Sequence, residues 1–447
     1  MQHKPFALLL GVLSLPAMAL DLRLEAQGNH YPALDGRSEA SAAAELHWYA
    51  QSRERDGSVR TLDVRLFGRQ AGGEEEARTH ADVRELQYAH AQGPWEWRFG
   101  LGRVFWGVTE SAHLVDIVNQ DDGLEDIDGE DKLGQPLLGL SRRLGSGRAA
   151  VYLLPRFRER EFGPLIRSLS PLPVATEEAR FESAQGRQHV DWALRLTQRW
   201  GGLDVGLSAF HGTAREPRLL PCAGQGTGRP GTETQANCNL EEAFAPPELS
   251  PVEELLLEVA DLLGVGPDRE AEEQAFIDEA MADAVLVPHY DQIDQLGLDL
   301  QWVQGAAAWK LEARVREQQG EWQYAAAAGV EYSLGVFWEG MIDLGLLLEY
   351  LYDDRPSGTS LNLFEDDFFV GMRLLGNDVA GTQALGGVVI DREDGGLFWS
   401  LELSRRLGGS ARVALEGRAF QAGEDAGALE RALDGVDSLR LQLEYYF

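Results

Sequence analysis

Residues 102–131 hold the densest set of side chains able to do chemistry. Gly102-Arg103-Val104-Phe105-Trp106-Gly107 leads to Leu114-Val115-Asp116-Ile117-Val118-Asn119-Gln120, and an acidic run follows from Asp121 to Asp131. Oxygen ligands at that density suit calcium, a hard cation that takes six to eight of them. The EF-hand register fails, however, because the frame set by Gly129 puts Leu124 where the first carboxylate belongs. The run therefore reads as a solvated acidic face, with no metal and no cofactor expected. His113 lies near Glu110 and Asp116 and is the one histidine of 9 placed to act as a base. A loop hydrogen-bonder is the simpler reading of it. Further along, period two would put Arg156, Arg158 and Arg160 on one face with Tyr152. A ladder of that kind could set a field and select anions. No Gly-x-Ser-x-Gly, His-Glu-x-x-His or Walker loop occurs, so catalysis is not expected.

The 2 cysteines, Cys222 and Cys238, share one polar segment, and neither has a His or Cys at ligand spacing. In an exported chain they read as a loop disulfide. Export is expected from the first residues. Lys4 gives a positive start, Phe6 to Leu15 form a short apolar run, and Ala17-Met18-Ala19 fits a cleavage pattern. Residues 1–19 are read as a signal peptide and 20–447 as the mature domain. The net charge of −33 excludes nucleic acid as a partner, since binding it needs basic surface.

These groups must be positioned by strands. Trp95, Trp97, Phe99 and Leu101 alternate with Glu96, Arg98, Gly100 and Gly102. The same rhythm runs through Val190–Thr197, Leu296–Trp302, Trp309–Arg316 and Leu397–Ser404. Alternation at period two marks strands with one apolar face. About eighteen such segments occur, the first near 20–26 and the last at 437–447. Their connections sort by parity: even ones are short, with Gly93-Pro94, Gly145-Ser146, Gly201-Gly202 and Gly408-Gly409, while 105–136, 158–188 and 213–291 fall on odd positions. A soluble sandwich has no reason to sort its loops so; a transmembrane antiparallel β-barrel does. In that frame the apolar rows face lipid, the charged rows face the lumen, and the short turns are periplasmic. Within 213–291, Ser250-Pro251-Val252-Glu253 opens a helix, and Asp268 to Val285 reads as a second one. The segment is expected to be a long extracellular loop carrying a helical hairpin.

Leu439, Leu441, Leu443, Tyr445 and Phe447 alternate with Arg440, Gln442, Glu444 and Tyr446 at the very end. An alternating last strand ending in Phe resembles the terminal strand of Gram-negative outer-membrane barrels. That resemblance implies an outer-membrane location, and it implies that Tyr445 and Phe447 signal to the barrel-assembly machinery. The succession Gly-Arg, Trp-Gly, then Asp-x-x-Asn over 102–119 resembles a stretch of large porin-like and exporter barrels. The stretch reads as a constriction loop that narrows the pore or as a plug-like structural loop, with Arg103, Asp116 and Asn119 as pore-lining candidates, to which the period-two face adds Arg156, Arg158 and Arg160. Water gains nothing from Phe105, Trp106, Leu114, Val115 and Ile117, so this loop is expected to bury against the inner wall. The leading function is passage of a hydrophilic solute. An outer-membrane surface-binding or structural protein and an outer-membrane hydrolase are the alternatives.

Overall fold

The computed structural model describes residues 17–32, 36–73, 78–163, 172–222, 238, 284–337, 340–355, 365–424, 426 and 428–447. Its strands, in chain order, are β1 (Ala17–Tyr31), β2 (Arg37–Arg53), β3 (Val59–Ala71), β4 (His80–Gln92), β5 (Trp95–Gly102), β6 (Gln135–Leu144) and β7 (Gly147–Leu154). Then come β8 (Arg180–Phe181), β9 (Asp191–Trp200), β10 (Leu203–Thr213), β11 (Arg218–Cys222), β12 (Val285–Tyr290), β13 (Gln292–Gln304) and β14 (Ala307–Gln318). The last are β15 (Glu321–Phe337), β16 (Ile342–Asp353), β17 (Asp366–Gly376), β18 (Gln383–Asp391), β19 (Leu397–Leu407), β20 (Ala411–Gln421) and β21 (Ser438–Tyr446).

Eighteen of these form one antiparallel sheet, which closes because β1 pairs with both β2 and β21. β8, β11 and β12 make a separate three-stranded sheet. Closure removes the edges that an open sheet would expose to lipid, where no water can satisfy a bare backbone amide. Among the described residues no helix is long and apolar enough to cross a membrane. The strands do the crossing instead.

Two-residue turns join β4 to β5, β6 to β7, β9 to β10 and β13 to β14, and each opens with glycine. Gly93, Gly145, Gly201 and Gly305 hold φ of 58, 61, 62 and 62°, a region that other residues enter only at a steric cost. The parity of connections is as the sequence suggests, with segments 103–134, 155–190 and 214–291 all leaving the opposite rim. β1 extends three residues beyond its expected start: Ala17, Met18 and Ala19 pair with Gln51, Ala50 and Tyr49. Residues 250–283 of the expected helical hairpin lie outside the described residues, and Val285, its expected last residue, begins β12.

The two faces of the sheet differ as a lipid-spanning barrel requires. Trp97, Phe99, Leu138, Leu296, Trp399 and Leu441 are exposed on the outer surface. Arg69, Glu312, Arg314, Glu349 and Glu444 are buried on the inner one. The largest apolar cluster among the described residues sits inside, between the wall and the segment that follows β5.

Candidate functional site

The segment 103–134 enters the lumen because its own side chains close it into a compact body. Asn119 Oδ1 accepts from Val104 N–H at 2.8 Å, and its Nδ2 donates to the carbonyls of Gly102 (2.9 Å) and Leu133 (2.8 Å). One buried amide thus ties the loop's entry to its exit. Asp116 Oδ1 accepts from Trp106 N–H at 3.2 Å, and its other oxygen lies 3.2 Å from Lys132 Nζ. Burial raises the Asp116 pKa against the pull of Lys132, whose own value Asp121 and Asp116 raise against its burial. Arg103 stays on the wall, 3.5 Å from Glu85. Asp116 and Asn119 therefore hold the loop's shape and do not line an opening.

One flank of this body is apolar. Trp106, Val115, Ile117 and Val118 bury against Leu137, Tyr152, Leu154, Ala193, Phe210 and Ile293 of β6, β7, β9, β10 and β13. The fit depends on a small wall residue. A Cβ on Gly297 would stand 3.0 Å from Val115 Cγ1 and 2.4 Å from Ser208 Oγ.

The tip then crosses the barrel on carboxylates. Glu312 of β14 accepts the backbone N–H of Val108 (2.6 Å) and Thr109 (3.0 Å). Glu349 of β16 accepts those of Glu110 and Ser111, both at 2.9 Å. These buried acids satisfy turn amides that have no other partner. His113 lies between Glu130 (2.9 Å) and Glu312 (3.9 Å). Burial disfavours its cation, but the two carboxylates outweigh burial and hold its pKa up to about 10. It is a standing cation at neutral pH and no free base.

The far flank is ionic. The acidic run does not form the solvated face expected of it. Glu125 receives both arms of Arg69 at 2.8 and 2.6 Å, and Asp122 receives Arg84 at 3.2 Å. Asp126 bridges Arg418 of β20 and Arg440 of β21, and Asp128 adds a 2.7 Å contact to Arg418. Burial pushes the Asp126 carboxyl up, yet the two guanidinium groups hold it well below the usual range. Among the described residues no cluster of acids and histidines is arranged to hold a metal ion.

Two bridges fasten the crossing: Glu110 to Arg373 of β17, and Asp126 to Arg440 and Arg418. Between them, among the described residues, no hydrogen bond or ion pair joins the loop to β18 or β19. A cavity of 310 Å³ opens there towards the short turns, and one of 330 Å³ towards the long connections. Both are lined by Glu110, Leu385 and Glu402.

The expected arginine ladder does not form. β7 ends at Leu154, Pro155 follows, and the alternation stops with the strand. Arg156 is exposed, Arg158 reaches Asp82 at 2.9 Å, and Arg160 lies 3.3 Å from Asp121. Phe157, which the ladder would have turned to lipid, is buried against Tyr290 with ring centroids 4.8 Å apart. Cys222, at the end of β11, is disulfide-bonded to Cys238. The sequence places Glu402 and Glu416 on inward faces but singles out neither of them, nor Leu385, because each is an ordinary inward position on an alternating strand. Only the loop's path distinguishes them.

No family model matches the chain, and no curated protein resembles it in sequence. Solved structures do share its architecture. The outer membrane protein OpdK from Pseudomonas aeruginosa is 11% identical, with a TM-score of 0.50, over 97% of this chain and 99% of that one. OpdQ of Pseudomonas aeruginosa is 10% identical, with a TM-score of 0.50, over 96% and 97%. At such identities the likeness is one of fold. The fold is that of a bacterial outer-membrane β-barrel, in keeping with the apolar outer surface and the closed sheet.

Proposed function

We propose that the protein is a channel through which a hydrophilic solute crosses the outer membrane. The observation that carries this reading is the pair of cavities on either side of segment 103–134, which share Glu110, Leu385 and Glu402. An eighteen-strand barrel is wide enough to hold water, whereas an eight-strand barrel is filled by its own side chains. A loop fixed across such a lumen narrows it without stoppering it. On the same reading residues 1–19 direct export, the short turns face the periplasm, and Tyr445 and Phe447 address the assembly machinery.

The hydrolase alternative loses support because its one candidate base, His113, is clamped between two carboxylates. A surface-binding role would rest on the outer loops and needs no passage at all. Planar-bilayer recording on the purified full-length protein tests the proposal. Discrete conductance steps are expected. Protein that runs as a folded, heat-modifiable barrel on a detergent gel, yet leaves the bilayer silent, would sink it.

A further inference from the structure

The register sets a ring of inward positions at the level of the two bridges. Arg373 is opposite Leu385, Leu385 opposite Glu402, Glu402 opposite Glu416, and Glu416 opposite Arg440. The charges of this ring are not treated alike. Arg373 is taken by Glu110 of the loop. Glu416 lies 2.6 Å from Arg418 and 3.2 Å from Arg440. Arg440 also holds Asp126. Among the described residues Glu402 is the one charged side chain of this ring that makes no hydrogen bond and no ion pair. It stands exposed to the lumen, where both cavities meet, with Leu385 on one side and Glu416 on the other.

Like charges directly opposite across a strand pair repel, and Glu402, facing Glu416, has only the more distant pull of Arg418 to offset it. The bridging ion pairs cancel one another, so the opening between them keeps one carboxylate in excess. We propose that Glu402 is the selectivity residue of the channel, favouring solutes that carry an ammonium or guanidinium group; this rests on the channel reading above. Lumen carboxylates act on passing ions in just this way, by raising the local concentration of cations in a narrow low-dielectric wall. One uncompensated charge ~6 Å from an ion in a water-like medium changes its occupancy about threefold, hence roughly tenfold between a cation and an anion. Leu385 contributes the apolar counterpart, a patch against which the carbon body of such a solute can lie.

The test is the reversal potential of the full-length protein in a planar bilayer under a KCl gradient. Potassium is expected to pass in preference to chloride, by roughly tenfold on the same Coulomb argument. Glu402→Gln should bring the ratio close to one with conductance retained, and Glu402→Lys should invert it. Glu54→Gln, at a periplasmic-side turn, should leave it unchanged. Spermidine added to one side should block the parent in a voltage-dependent way and Glu402→Gln much less. Heat-modifiable migration establishes that each variant is folded before it is recorded. An open channel whose reversal potential and spermidine block are the same with and without Glu402 overturns the inference and leaves the channel reading intact. A folded protein without any conductance overturns both.

Discussion

The two flanks of segment 103–134 are held by different forces. Towards β6–β13 the loop is fixed by Trp106, Val115, Ile117 and Val118 in a dry cluster. Towards β3, β20 and β21 it is fixed by Glu125 on Arg69 and by Asp126 on Arg418 and Arg440. Apolar packing is non-directional and indifferent to salt, so it sets where the loop lies. Ion pairs are directional and set where the loop stops, which here fixes the rims of an opening. Position and aperture thus rest on different groups, the apolar cluster for the one and the ion pairs for the other.

Deleting residues 108–131 removes the tip and the ionic flank together. Single-channel conductance should rise severalfold, because an unobstructed eighteen-strand lumen is an aqueous channel. Parent-like conductance from an assembled deletion would mean that the loop is only a cap. Arg69→Ala is more selective. It takes from Glu25 and Glu125, both as buried as Arg69, their shortest cation contacts and leaves them Arg23 at 4.0 Å and Arg84 at 3.7 Å, a loss of at most about 3–5 kcal/mol. Open-channel noise and larger sublevels are the expected signature, with only partial recovery in Arg69→Lys because the guanidinium fork is lost. Quiet recordings at the parental level would show that the ionic flank does not set the aperture.

Val118→Ala probes the other flank with less force. Two methyl groups lost from a fully buried site cost about 1.6 kcal/mol at ~0.8 kcal/mol per buried carbon. The resulting loosening should be the same in 0.1 M and 1 M salt, whereas that of Asp128→Asn should be larger at the lower concentration, where the parental Asp128–Arg418 contact is least screened. Equal salt dependence of the two variants would erase the distinction drawn between flanks. The smallest effect concerns pH. The His113 pKa is raised from 6.5 to about 10, so its contribution to docking is complete below pH 6.5 and is lost as pH rises through about 10. Current noise should grow from about pH 9 to 11. In His113→Gln the same titration should be flat; noise that still tracks pH would assign the effect elsewhere.

The barrel was legible because each strand writes its lipid face in alternation, as in Trp95, Trp97 and Phe99. All eighteen segments marked from the sequence are strands of the closed sheet. The inward burial of the loop was legible for a related reason in Trp106, Val115 and Ile117, which have no place in water; Phe105, expected to bury with them, is 56% exposed. The two-residue β8 and the six-residue helix Ala428–Leu433 were not, being too short to carry a period. The partners of the acidic run were hidden by distance along the chain: nothing local says that Asp126 meets Arg418 and Arg440. Pro155 was the local warning against the arginine ladder, since a proline removes a donor from any strand that continues through it. Asp116 and Asn119 stand in the right loop, and they are spent on its own backbone.

The seam of the barrel joins the two ends of the chain. Arg23 is opposite Tyr446, and Phe447 N–H donates to the carbonyl of Leu22 at 3.0 Å. Those contacts have the greatest sequence separation in the sheet, and contacts of that kind form last and slowly. Until β21 is in place, β1 presents a full row of unpaired amides and carbonyls, tolerable in water and prohibitive in hydrocarbon. Insertion is therefore an all-or-none event for this polypeptide. A ribosome that stops a single strand early leaves an open sheet, which the membrane cannot accept and which other chains can pair with.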